Sequence, residues 1–143
     1  MTAGKERRPR PATLHRSDRR AAAFLAGPHV GTFTTLRPDG APHVTAIRFT
    51  WDPDAGLARV LTVASARKAR NITGHTPGAR VALCQVAGFR WLTLEGAATL
   101  SVDPERIAEG VRRYLDRYGS APPAPPDRVV IDIEVDRLVG LNL

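Results

Sequence analysis

Leu57-Ala58-Arg59-Val60-Leu61-Thr62-Val63-Ala64-Ser65-Ala66-Arg67-Lys68-Ala69-Arg70-Asn71-Ile72-Thr73-Gly74 changes period part-way along. Leu57 to Val63 is a strand, β-branched at alternate positions. From Ser65 onward Ala66, Ala69 and Ile72 fall three apart and Gly74 closes the segment, which predicts a short helix with Ser65 as its hydroxyl cap. Arg67 and Lys68 stand where free backbone N–H groups and the helix dipole favour an anion. Arg67 offers a planar fork for two phosphate oxygens, Lys68 a point charge, and Thr62 a hydroxyl from the strand end. The plain alternative is a solvated basic helix face.

Outward from this segment the chain reads mostly as strands. Ser17 to Gly27 has a Ser or Asp cap, a helix-favouring middle and a terminal glycine before Pro28. Val30 to Leu36 runs into the turn Pro38-Asp39-Gly40, and Ile47, Phe49 and Trp51 then alternate with Arg48 and Thr50, which predicts a hairpin. Arg80 to Val86 is a fourth strand. Gly88 turns it into a long fifth, with Leu92, Leu94, Ala98 and Leu100 on one face. Asp103-Pro104 opens an amphipathic helix whose Ile107, Val111, Tyr114, Leu115 and Tyr118 are expected to face the core. Residues 120–126, rich in proline, predict a stiff extended loop. The last strand sets Val129, Ile131, Ile133 and Val135 on one face and Asp132, Glu134 and Asp136 on the other. Six strands with hairpin connections and few helices predict a mainly β, antiparallel barrel. The turns are too short for the crossovers of a doubly wound sheet.

At 143 residues, the chain accommodates one domain. No apolar run approaches the roughly 20 residues of a membrane-spanning helix, and the N-terminus lacks a secretory pattern, so a cytoplasmic protein is expected. The single cysteine, Cys84, lies in an apolar run and reads as a buried small residue. The net charge of +7 is lopsided: residues 1–20 hold seven Lys or Arg against two acids, and the other 123 residues fourteen against twelve. Residues 1–16 therefore read as a flexible basic leader and 17–143 as the domain, which makes nucleic-acid binding an unfavoured reading. Dinucleotide, Walker, nucleophile-elbow and paired-histidine zinc motifs are missing. His15, His29, His43 and His75 are scattered, and only His43, opening the second strand, invites attention.

Leu61 to Ile72, with Pro77 and Arg80-Val81-Ala82-Leu83 after it, resembles the pyridoxamine-phosphate oxidase motif in which an Arg-Lys pair holds a flavin phosphate. Gly31 to Thr45 is similar to that family's opening hairpin, and Trp91-Leu92-Thr93-Leu94-Glu95-Gly96-Ala97-Ala98 to its long strand with a Glu-Gly turn. The resemblance covers about residues 20–143. It implies an FMN-binding split barrel, with few α-helices, that forms a homodimer and holds two cofactors at the subunit interface. Arg67 and Lys68 carry over as phosphate ligands, with Thr62 and Ser65 beside them. Val44, Thr45 and Ala46 carry over as the strand along the ring system, and Trp91 as a further contact, at a position where the family commonly has a polar residue. The oxidases continue past the last barrel strand, so vitamin B6 oxidation is not expected. The short form with Arg-Lys-Ala-Arg-Asn-Ile looks most like the branch using the deazaflavin coenzyme F420. The resemblance thus implies a reductase that passes hydride to a small electrophilic acceptor. Alternatives are the same fold carrying FMN, or a non-enzymatic flavin- or deazaflavin-binding module.

Overall fold

A computed structural model describes residues 8–75 and 77–143. The elements run β1 (Ala12–Leu14), α1 (Arg19–Ala26), β2 (Gly31–Leu36), β3 (Pro42–Ile47), β4 (Thr50–Asp52), β5 (Leu57–Val63), α2 (Arg67–Arg70), β6 (Ala79–Ala87), β7 (Arg90–Ser101), α3 (Pro104–Tyr118) and β8 (Arg128–Leu141). All strand pairs are antiparallel, in the order β3-β2-β6-β7-β8-β5-β4, with β1 added to β8. The two ends of this path, β3 and β4, are joined by only Arg48 and Phe49. The three Cα–Cα steps from Ile47 to Thr50 reach at most about 11 Å, so the sheet has to curl until its edges come close. The result is a barrel split between β3 and β4, its core filled by Phe33, Phe49, Leu83, Leu92, Leu94, Ile131 and Ile133.

The eight strands exceed the expected six for two reasons. The single strand expected through Ile47 and Trp51 breaks at Phe49, whose backbone is claimed by α3. Phe49 N–H donates to the Tyr118 hydroxyl at 3.2 Å, and its carbonyl accepts from the Arg117 guanidinium. A residue bonded to a helix in this way cannot also serve a ladder. The second addition, β1, lies inside the expected leader. Ala12 pairs with Gly140 and Leu14 with Leu138, and Leu14 packs on the core. The expectation that residues 1–16 stand apart from the domain is therefore corrected for Ala12–Leu14. Residues 1–7 of that leader lie outside the described residues.

Local chemistry explains the helices. Asp18 caps α1 by accepting from Arg20 N–H at 2.8 Å, and Asp103 caps α3 by accepting from Glu105 N–H at 3.0 Å, with Pro104 in the first turn. Gly119 ends α3 in the left-handed conformation, φ 73°. The buried Gly110 lets α3 settle on the sheet, because a Cβ there would press on Leu61 and Val130 at 3.2 and 3.3 Å. Two further expectations are corrected. Cys84 is half-buried, since its side chain lies on the outer face of β6. Asp132 is buried, because α3 covers the outer face of β8 at that point.

Gly96 is not in a turn: β7 runs straight through it, with a register shift between Glu95 and Gly96 that makes a β-bulge against β8. A Cβ at Gly96 would overlap the Glu134 carbonyl. Backbone cannot swing aside as a side chain can, so Gly96→Ala should cost on the order of 3 kcal/mol. Urea unfolding should show a lowered midpoint with an unchanged slope. A variant as stable as the wild type would mean that the bulge is not the native register.

Candidate cofactor pocket

β3 and β5 supply the floor of a pocket of about 330 Å³, lined among others by Ala46, Arg48, Thr62, Lys68, Tyr114 and Arg128. One side is α2, a single helical turn of four residues. Ala69 and Ile72 bury beneath it, and the buried Asn71 side chain donates to Thr35 Oγ1 of β2 at 2.9 Å. This anchoring turns Lys68 toward the pocket. The opposite wall is α3 and the proline-rich loop, through Tyr114, Pro122, Pro123 and Pro125. Arg128 fixes that loop, its Nη1 donating to the Pro123 carbonyl at 3.1 Å and its backbone N–H to the Pro125 carbonyl at 3.2 Å.

The cations in this region converge on one pocket with no carboxylate among its lining residues. Elsewhere Arg20, Arg59, Arg80, Arg106, Arg112, Arg113 and Arg137 each lie within 4.0 Å of a carboxylate. Among the described residues, none of Arg48, Lys68 and Arg128 has an acidic partner, nor has Arg67 next to Lys68, and no acid lines the pocket. Burial pushes the Lys68 ammonium below its ordinary pKa. Such a cluster of partly desolvated, uncompensated cations is suited to an anionic ligand.

The expected site residues divide into four groups. Ala46, Thr62 and Lys68 meet in the pocket. Val44 and Thr45 continue along β3, whose second edge pairs with no strand among the described residues, so its peptide groups are open to a ligand. Arg67 is half-buried beside Lys68, whereas Ser65 is exposed in the preceding turn and is not the cap expected of it. Ala66 holds the cap position, without a side-chain hydrogen bond, because the turn closes through Ala66 N–H and the Val63 carbonyl. Trp91 lies elsewhere. It opposes Leu141 at the far end of β8, while the pocket sits where Val63 opposes Arg128.

The reading of the sequence overlooked Arg48, Tyr114, Arg128 and the proline wall. Tyr114 and Tyr118 were expected to pack inward. Tyr118 does, with its hydroxyl within 2.9 to 3.0 Å of the His29 and Phe49 carbonyls, but Tyr114 lines the pocket and accepts from Arg48 Nη1 at 2.9 Å. The helical spacing that pairs them gave no sign of this difference. Leu115, also expected inward, is exposed.

Ion pairs hold α3, and with it this wall, in place. Asp52 accepts from Arg59 at 3.1 Å and lies 2.9 Å from Arg113 Nη2, which reaches it from α3; Arg113 also bonds Glu109 at 2.7 Å, and Arg106 reaches Asp132 at 2.9 Å. Burial alone would raise the Asp52 carboxyl, but the Ala55 N–H, Arg59 and Arg113 outweigh it and the net direction is downward. Arg112 and Arg113 bring Glu109 down to about 2.

Three comparisons with known proteins bear on the family and the fold. Residues 17–142 match the pyridoxamine 5'-phosphate oxidase family. The chain is 42% identical over 120 residues, 84% of its length and 85% of the relative's, to the F420H(2)-dependent biliverdin reductase of Mycobacterium tuberculosis (strain CDC 1551 / Oshkosh). Among solved structures it resembles an F420 reductase at TM-score 0.64 and 28% identity, over 81% of this chain and 93% of that one. A conserved hypothetical protein of Mycobacterium tuberculosis is similar at TM-score 0.70 and 25% identity, over 85% and 82%.

Carboxyls lowered in the folded state stabilise it above their unfolded pKa, and that stabilisation is lost as pH falls through the folded values. The thermal midpoint should therefore hold near neutrality and decline from the ordinary Glu value of 4.5 toward about 2. Asp52→Asn should lower stability at neutral pH by about 3 kcal/mol, because Arg59 and Arg113 lose a buried partner, and should flatten the acid decline. A variant curve parallel to the wild type would show that Asp52 does not carry the acid sensitivity.

Proposed function

This chain belongs to the pyridoxamine 5'-phosphate oxidase family, and from that premise we propose that it is an F420-dependent reductase of a linear tetrapyrrole of the biliverdin class. The observation carrying this reading is the pocket whose cations Arg48, Lys68 and Arg128 face no acid. A phosphate alone would occupy the Arg67-Lys68 pair. Arg128 lies beyond that pair and suits the further carboxylates of the F420 tail, which FMN lacks. The relative's biliverdin activity points to the acceptor class.

In this reading Arg67, Lys68 and Thr62 hold the cofactor phosphate, and the free edge of β3 at Val44 to Ala46 hydrogen-bonds the ring system. When bound, the reduced deazaflavin supplies a hydride. The chain contributes orientation and a water-poor wall, the latter from Pro122, Pro123 and Pro125. Trp91 meets the ring only if a second copy brings it there, which requires a homodimer with two shared sites. Exposed Val44 on β3, and Val86 and Phe89 at the β6–β7 turn beside Trp91, with Phe89 91% accessible, are the apolar surface such a dimer would cover. The protein is proposed to act in the cytoplasm. No helix among the described residues is long and apolar enough to cross a membrane.

Titration with each cofactor tests this reading. F420 should bind more tightly than FMN at low salt, and the preference should shrink as salt screens the tail contacts. Lys68→Ala and Arg67→Ala should each weaken F420 binding roughly ten- to a hundredfold, as loss of a charge-assisted contact does. Protein carrying reduced F420 should turn over biliverdin, and sedimentation should give a two-subunit species. Tighter FMN binding at low salt would restore the flavin alternative, and bound cofactor without turnover would leave a binding module.

A further inference from the structure

We propose that Tyr114 is the proton donor that completes reduction of the acceptor, and that Arg48 positions its hydroxyl and stabilises the phenolate left behind. This rests on the F420-dependent reading above. Hydride addition to a carbon of a conjugated tetrapyrrole moves a π pair onto a ring nitrogen, which then needs a proton. Few of the side chains lining the pocket are sources. Arg48 and Arg128 keep their protons, and the Thr62 alcohol ionises too weakly to give one up. Lys68 is committed to the anion on which cofactor binding depends. Tyr114 remains.

Its geometry suits the role. Arg48 Nη1 donates to the Tyr114 oxygen at 2.9 Å, so the oxygen serves as acceptor there. Among the described residues, no protein group accepts the Tyr114 hydroxyl proton, which leaves it to be given to a ligand in the pocket. Arg48 itself is held in place, its guanidinium 4.9 Å from the centre of the Tyr118 ring and 5.8 Å from that of Tyr114. Tyr118, with its ring 4.9 Å from Tyr114, has its hydroxyl engaged by Phe49 and His29 and serves as the platform.

The step balances. A C–H bond forms at the acceptor carbon from the hydride, the displaced π pair becomes a nitrogen lone pair, the Tyr114 O–H bond breaks and an N–H bond forms. The acceptor gains two electrons and two hydrogens, and the phenolate facing Arg48 regains its proton from water.

The test is Tyr114→Phe, which keeps the ring and its stacking. In single-turnover reduction of biliverdin by protein loaded with reduced F420, the variant should be about a hundredfold slower. Its affinities for F420, and for biliverdin on protein carrying oxidised F420, should stay unchanged. A readout independent of turnover comes from ¹³C-labelled tyrosine, since the chain has two. Biliverdin should shift the Tyr114 ring-oxygen-bearing carbon and leave that of Tyr118 in place. Equal rates in variant and wild type, with both ligands bound, would overturn the proposal while sparing the functional reading. A wild type that fails to bind F420, or binds it without reducing biliverdin, would overturn the functional reading and the proposal with it.

Discussion

The 14-residue β8 is hydrogen-bonded along both edges, and the rest of the molecule is referenced to it. One edge carries β7 from Trp91 to Ser101, and the other carries β5 over its first half and β1 over its second. A strand so enclosed has to bury both faces where α3 lies across it, so Val129 to Ile133 are all buried, including Asp132. That acid is tolerable because Arg106 and Arg59 reach it. The same pairing puts Val63 opposite Arg128 and so joins the turn leading into α2 to the base of the proline-rich loop. The pocket's two walls are thus set by one ladder.

Electrostatics sets a network of paired acids on β4 and β8 beside a pocket whose cations have no carboxylate partner among the described residues. Asp52 and Asp132 collect cations from β5 and α3, and this fixes the helix. The site's cations are left without carboxylates and are held by other means: Arg48 by two tyrosine rings, Arg128 by a proline carbonyl, and Lys68 by the anchoring of α2 through Asn71. None of these restraints neutralises charge. Each therefore leaves the cation available to an anion, at the expense of mutual repulsion in the ligand-free protein.

Much of this was legible in the sequence where the signal was local. The change of period at Ser65, the caps Asp18 and Asp103, the turn at Gly88 and the alternation of Val129 to Val135 each follow from neighbouring residues, and each element formed. The Arg67-Lys68 pair could be found for the same reason. What escaped depends on residues distant in the chain. The break at Phe49 is caused by Arg117 and Tyr118, nearly seventy positions away. Burial of Asp132 is caused by α3. Arg48 and Arg128 have no local feature to separate them from other surface arginines, and the tripeptide β1 is too short to register against its Arg- and Pro-rich surroundings.

The uncompensated site also couples occupancy to stability. An anion in the pocket relieves the repulsion among Arg48, Lys68 and Arg128 and favours the charged form that burial disfavours at Lys68. The unfolded chain has no such cluster, so the ligand binds the folded state alone and stabilises it by RT ln(1 + [L]/Kd). The walls that touch the ligand, α2 and the proline-rich loop, are short or irregular elements attached to the sheet at opposite ends of the Val63–Arg128 pair. Beyond the Ala64 N–H bond to the Asp127 carbonyl at 3.2 Å, no hydrogen bond joins them among the described residues, so a ligand that contacts both adds a further connection. Binding at this pocket therefore acts on the rigidity of the site as much as on its charge.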